Sequence, residues 1–273
     1  MNSRIQRLRK ISFEAQPSLS IERALHQTAF HREHYGKQST PVFRAMTFLD
    51  HCQKKTLYLG EDELIVGERG PAPKAVPTFP ELTCHSVEDF KVLNTREKQP
   101  YTISQEDINT YAEEVIPYWK GRTQRERIFN HVPETWRRAY EAGVFTEFME
   151  QRAPGHTALD GKIYKQGMLD FKQEIQAHID TLDYLNDPEA NDKAEQLHAM
   201  NISCDAVILF AERHADLAEL KAKTENDPLR KAELLTIAEV CRWVPANAPR
   251  NFWEALQMYW FVHLGTITEL NGW

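Results

Sequence analysis

The sequence predicts a mainly α-helical protein with a few short strands, and three observations carry that expectation. Apolar residues recur three and four apart through most of the 273 residues, the spacing that lines one face of a helix. Helix-start patterns punctuate the chain, among them Ser86-Val87-Glu88-Asp89 and Asp227-Pro228, where a short polar side chain or a proline suits the first turn. β-prone composition is confined to two short runs, 56–59 and 64–66.

In chain order, residues 3–16 read as a helix, and Ser18-Leu19-Ser20 before Glu22 starts a second, running to Tyr35-Gly36. His31 and His34 lie three apart on that helix. Two metal ligands could use the spacing, but no third ligand is tied to them, so solvated or capping histidines are expected. Pro41 opens a helix with Val42, Ala45, Met46, Leu49 and Cys52 inward. The runs Thr56–Leu59 and Leu64–Val66, parted by Gly60-Glu61-Asp62-Glu63, are expected to pair or lie close as strands. Four prolines between Gly70 and Pro80 forbid helix, while Val76, Phe79 and Leu82 are too apolar for a solvated linker. An extended segment laid across the body follows.

Ser86 and Ser104 each start a helix with acids in the first turn. Shorter helices follow over Gln124–Phe129 and Glu134–Gly143, the latter opened by Pro133. Residues 164–184 form an amphipathic helix on Met168, Leu169, Ile175, Ile179 and Leu182. One long helix is expected from Asp187 to Lys223, with Leu197, Met200, Ala206, Ile208, Leu209, Ala215, Leu217 and Leu220 as its apolar positions. Pro228–Arg242 follows, with Leu234, Leu235, Ala238 and Val240 inward, and then a proline-punctuated connector. Asn251–Asn271 is the most hydrophobic segment, apolar on nearly every side. Such a helix is normally enclosed, and with the sequence ending at Trp273 a partner chain or further polypeptide is expected to cover it.

Bulk properties narrow the class. Hydrophobic content of 41% and a charged fraction of 27% describe a globular chain. The net charge of −7 argues against nucleic acid as a partner, and Arg4, Arg7, Arg9 and Lys10 read as a solvated first helix. Cys52, Cys84, Cys204 and Cys241 are far apart with no C-x-x-C, so neither a metal site nor a redox pair is signalled. With no signal peptide and no apolar run near the ~18 residues of a membrane span, a soluble, cytoplasmic protein is expected.

Chemistry concentrates in Glu141–Tyr164, EAGVFTEFMEQRAPGHTALDGKIY. A helical run carries Val144, Phe145 and Phe148 on one face and then breaks at Ala153-Pro154-Gly155. Proline ends the helix and glycine frees the backbone, so His156 arrives at a loop mouth. Two readings stay open on these residues alone: an imidazole presented beside a hydrophobic wall, or a capping histidine at the negative end of a helix dipole.

Five stretches carry a resemblance to a known family: Ser20–Ala24, Glu63–Glu68, Thr78–Glu81, Ala142-Gly143 with Phe145–His156, and Gln257–His263 with Thr268–Asn271. On these the chain resembles the N-terminal part of a glycyl radical enzyme of the pyruvate formate-lyase-like family, and FTEFMEQRAPGH is most like the members that dehydrate trans-4-hydroxy-L-proline. The resemblance makes residues 1–273 one N-terminal portion of a ten-stranded α/β barrel wrapped in helices. Its parts are 1–70 (helices and short strands), 71–140 (an extended segment and helices) and 141–273 (helices with the pocket loop).

The resemblance also implies a radical lyase that eliminates water from a small hydroxylated substrate. Its glycyl radical is installed by a separate radical S-adenosylmethionine activase carrying an iron–sulfur cluster, no cofactor is bound by this chain, and the full enzyme is expected to be a homodimer. Phe148 and His156 match residues that line the substrate pocket, His156 hydrogen-bonding the departing hydroxyl. Three departures matter. The family's radical glycine, in a motif like RVAGYSA, does not occur here, and no cysteine is followed two residues later by Glu. The acidic residue that works with the histidine would directly follow the match to Trp273. Alone, the chain is therefore expected to be inert, one part of an enzyme completed by further polypeptide or a complementary chain. The alternatives are another member of the family (a diol dehydratase, a carbon–nitrogen lyase or a formate acetyltransferase type) and a non-catalytic helical interaction module.

Overall fold

The computed structural model describes residues 2–144 and 159–269. Twelve helices follow one another among them: α1 Ser3–Glu14, α2 Glu22–His34, α3 Thr40–Lys54, α4 Val87–Thr95, α5 Gln105–Glu114, α6 Ile116–Trp119, α7 Gln124–His131, α8 Glu134–Glu141, α9 Met168–Asp180, α10 Ala190–Thr224, α11 Pro228–Trp243 and α12 Phe252–Glu269. A short 3-10 turn, Asp160–Tyr164, precedes α9. Strands β1 (Ser18–Ser20) and β2 (Ala75–Pro77) pair in parallel, Leu19 opposite Val76.

Local chemistry sets several helix starts. Ser86 and Asp89 form the expected capping box on α4, each side chain bonding the other's backbone N–H. The Ser104 hydroxyl accepts from Asp107 N at 3.0 Å to start α5, and the Asp227 carboxylate accepts from Leu229 N at 3.0 Å beside Pro228 on α11. Gly167, ahead of α9, is a matter of space. A Cβ there would stand 2.2 Å from the Ala246 carbonyl oxygen, so the backbone of 167 and that of 246–247 can lie against each other only with glycine.

The body of the molecule is built on α10, about 52 Å long at 1.5 Å per residue. Helices α3, α9 and α11 pack along it. Of the apolar positions expected from the sequence, its inward face keeps Ala206 and Ala215 but not Met200 or Leu220. Ala206, Phe210, Ala211, Ala215, Ala218 and Ala222 are buried, whereas Met200 and Leu220 are 46% and 60% exposed. Small side chains let three neighbouring helices approach closely. Leu169 on α9 and Leu235 on α11 likewise face out, leaving Met168, Phe171, Ile175, Leu234, Ile237 and Ala238 inside.

A second core joins α2, α4, α5 and α6 through Ile21, Phe90, Tyr111 and Trp119. The two-stranded sheet belongs to this part, and β2 runs through the proline-rich stretch that was expected to be extended. The strands expected at 56–59 and 64–66 do not form; both runs are coil. Their backbone finds other partners. Val66 N–H donates to Gln257 Oε1 at 2.8 Å and Gln257 Nε2 donates to Val66 O at 2.9 Å. Trp253 Nε1 donates to Leu64 O and Trp260 Nε1 to Gly67 O, both at 2.8 Å. Side chains of α12 thus take the place of a neighbouring strand along this strap, satisfying backbone groups that would otherwise be buried unpaired.

The same contacts correct the expectation that α12 lacks enclosure. Its own chain buries Gln257, Met258, Phe261, Val262, Leu264, Gly265, Ile267 and Thr268. Only a stripe through Phe252, Leu256 and Tyr259 is exposed. Helix α1 buries no residue, yet it is not merely solvated. Arg4 pairs with Glu233 of α11 at 2.5 Å and Arg7 with Asp62 of the 60–63 turn at 2.5 Å. Among the described residues no helix is long and apolar enough to cross a membrane.

Candidate active site

Polar chemistry gathers where the C-terminal end of α12 meets α2 and α3. The last carbonyls of a helix have no partner within it and carry the negative end of its dipole, and here an arginine meets them. Arg23, buried on α2, donates from Nε to Thr268 O at 2.8 Å and from Nη2 to Glu269 O at 2.9 Å. The same guanidinium pairs with Glu81 at 2.6 Å and stacks 4.0 Å over the Phe79 ring. One side chain so ties α2, the α12 terminus and the segment after β2 together. Arg44 of α3 holds the Glu269 carboxylate at 2.6 Å from outside.

Two clefts open beside this junction, and Arg44, Phe48 and Glu269 line both. The first, about 640 Å³, is polar and basic, with Arg23, His31, Arg122 and Arg127 on its walls. The second, about 680 Å³, is mainly apolar, with Met168, Phe171, Ile175, Val207 and Val262 on its walls and Lys162, Glu174 and His178 among its polar groups. Leu159, the first described residue after 158, lines this second cleft. Paired clefts, one able to attract an anion and one apolar, suit a small polar substrate with an apolar body.

Buried imidazoles surround the basic side. His31 was expected to be solvated or capping, but it sits in an aromatic cage. Tyr35 stacks on it at 4.3 Å, Trp119 lies 4.8 Å away, and its Nδ1 meets the Tyr118 hydroxyl at 2.6 Å. Burial, reinforced by Arg127 and Arg122, pushes its pKa down to about 4. His51 on α3 donates from Nε2 to Gln27 Oε1 at 2.9 Å, leaving Nδ1 buried without a partner. Burial also holds its pKa well below the usual imidazole value. Lys55, at the end of α3, is buried, donates to Thr268 Oγ1 at 3.4 Å and lies 5.3 Å over the Phe210 ring; burial lowers its pKa to about 8.

The cysteines are ordinary core thiols. Cys52, Cys204 and Cys241 are buried, and burial raises their pKa values to about 12, 11 and 12. Among the described residues no group of three His, Cys, Asp or Glu side chains is placed to hold a metal ion. Phe148 and His156, the residues singled out from the sequence, lie outside the described residues. Sequence reasoning passed over Lys55 and Arg69, and it met Arg23 only inside a matching stretch. None of the three carries a local signal: Lys55 stands between Lys54 and Thr56, Arg69 between Glu68 and Gly70, and Arg23 between Glu22 and Ala24.

Comparison with known proteins identifies the family. The chain is 46% identical over 270 residues to a trans-4-hydroxy-L-proline dehydratase from Clostridioides difficile, covering 99% of this chain and 34% of that protein. An isethionate sulfite-lyase from Desulfovibrio desulfuricans is 35% identical over 263 residues, covering 92% of this chain and 32% of that protein. A solved structure of the Clostridioides difficile hydroxyproline dehydratase with trans-4-hydroxy-L-proline bound superposes with a TM-score of 0.95 at 45% identity, over 100% of this chain and 35% of that one. The chain thus spans about a third of the length of the relatives it matches. A family model described as pyruvate formate lyase-like matches residues 1–273, and the chain belongs to that family of glycyl radical enzymes.

Proposed function

We propose that this chain supplies part of the substrate-cavity wall of a radical dehydratase that eliminates water from trans-4-hydroxy-L-proline. The observation that carries the reading is the 46% identity to a hydroxyproline dehydratase along 99% of the chain, against 35% to an isethionate sulfite-lyase. The clefts flanking Glu269 support it. Hydroxyproline combines a carboxylate, which a wall of arginines attracts, with a ring that suits an apolar surface.

His156 would act on the hydroxyl that leaves. Hydroxide departs poorly, and an imidazole with a pKa near neutrality can hand it a proton as the carbon–oxygen bond breaks. Phe148 would exclude water and press on the flat ring. The glycyl radical, installed by a separate activase, supplies hydrogen-atom abstraction. None of the four cysteines of this chain stands in the Cys-x-Glu motif of the family's reactive cysteine. Radical glycine and reactive cysteine are therefore assigned to polypeptide beyond these 273 residues, and the full enzyme is read as a homodimer.

The test is a substrate panel. Under anoxia, with activase and the complete enzyme, trans-4-hydroxy-L-proline should lose water, while glycerol, 1,2-propanediol and isethionate should remain. Residues 1–273 alone should turn over none of them. Turnover of a diol or of isethionate with hydroxyproline untouched would assign the chain to another branch of the family.

A further inference from the structure

Between α2, α3 and the end of α12 lies a small, partly open pocket of about 20 Å³, lined in part by Glu22, His26, His51, Lys55, Arg69 and Thr268. Its polar groups are poorly matched. Lys55 is 7% exposed, and its ammonium, with three donors to place, has one hydrogen-bond partner, the Thr268 hydroxyl at 3.4 Å, and lies 5.3 Å over the Phe210 ring. Arg69 Nε is buried with no hydrogen-bond partner, and so is Nδ1 of His51, a side chain only 2% exposed. Half-buried Glu68 acts on both Lys55 and Arg69 from beyond ion-pair distance, and the other neighbouring acids are engaged elsewhere. Glu22 accepts from Thr56 N and Oγ1 at 3.1 and 2.5 Å, and Glu81 holds Arg23. Among the described residues neither Lys55 nor Arg69 has a carboxylate within ion-pair distance.

Buried charges without partners cost several kcal/mol, which is why folded proteins pair them. We infer that the pocket is a buried anion site that takes one compact monovalent anion, a carboxylate group or a halide. Charge sets the sign of the guest: Lys55 and Arg69 both present donors. Size sets the class. A volume of about 20 Å³ holds one or two water-sized atoms, which suits a halide or the end of a carboxylate. His51 adds a proton link. Its Nε2–H is committed to Gln27, and Arg23, His26, Lys54 and Lys55 face the ring, so Nδ1 can donate to the anion only after gaining a proton that the anion's charge must stabilise against these cations, and binding should take up to one proton with it. Gly70 helps to form the pocket. A Cβ at that position would lie 2.7 Å from Ala75 O, so the absent side chain lets the backbone next to Arg69 lie against β2.

The carboxylate has two possible sources: an acidic side chain of the polypeptide beyond the described residues, or a free small anion. Crystals of the complete protein, grown without halide and soaked in sodium bromide, separate them. A bromide anomalous peak among Lys55, Arg69 and His51 supports a free-anion site. A carboxylate oxygen of the protein bonded to Lys55 and Arg69, with no bromide peak, supports the site with its guest built in. Water alone, or an empty pocket, overturns the inference. Lys55→Met should abolish the peak or leave the built-in carboxylate unpaired. Should that variant fail to fold, Arg69→Gln, at the half-buried edge, should weaken bromide binding at least tenfold or release the built-in carboxylate; unchanged occupancy counts against the site.

Discussion

Helix α12 meets two buried polar regions, and they are solved in opposite ways. Along its middle, the strap at 64–67 presents backbone groups that Trp253, Gln257 and Trp260 match one for one. At its C-terminal end, Lys55, Arg69 and His51 surround a pocket with donors and a ring nitrogen to spare. The matched region fixes the fold. The unmatched one behaves as a place prepared for something else, since a folded chain rarely leaves buried charge unpaired when a local acid would serve.

Breaking the matched side should give the largest effect on stability. Gln257 is 0% exposed and satisfies both the N–H and the C=O of Val66. Gln257→Leu keeps the volume and orphans both groups. At about 1–3 kcal/mol for each buried unsatisfied group, the loss in urea-unfolding free energy should be about 3 kcal/mol. A loss under about 1 kcal/mol would mean that the strap finds its partners elsewhere.

A smaller, pH-dependent effect should sharpen the contrast, because the side chains that bond the strap, Trp253, Gln257 and Trp260, do not titrate, while buried imidazoles lie on the basic side (His31, His51) and beside Gly67 (His214). His31 and His214 are held neutral by burial, each with a pKa of about 4 against an ordinary 6.5, and His51 is displaced the same way. The unfolded chain therefore binds more protons than the folded one between pH 6.5 and about 4. Stability should be level above 6.5 as far as these groups are concerned and fall as pH drops through that window. Each such histidine contributes at most about 1.4 kcal/mol per pH unit. Replacing His214, whose Nδ1 bonds Phe210 O at 2.8 Å, by Phe should flatten the slope by about that amount. Gln257→Leu should leave it unchanged, and an equal change in both would erase the distinction.

Much of the helical framework was legible because its signals are local. The Ser86–Asp89 box, the Ser104 cap, Asp227-Pro228 and the apolar spacing each act within a turn or two. What escaped was set at long range. The β-prone run Leu64–Val66 is coil because its partners are side chains nearly two hundred residues away, and no pattern within the run announces them. The inward face of α10 follows from how closely three helices approach, so alanines rather than leucines occupy it. His31 looked like a surface residue until Tyr118 and Trp119 closed over it. Lys55 and Arg69 follow the same rule: nothing in a sequence marks a cation whose counter-charge is missing. Of the site itself, His156 behind the proline–glycine break lies outside the described residues, and its role rests on the proposal above.

The central claim is that this chain contributes the proton donor for the hydroxyl that leaves, and His156→Gln in the complete, activated enzyme tests it most directly. With trans-4-hydroxy-L-proline under anoxia, the account predicts a fall in kcat of about 10²- to 10⁴-fold, the usual worth of general acid catalysis, with KM changed far less. A variant that keeps the parent kcat would show that the departing oxygen takes its proton elsewhere.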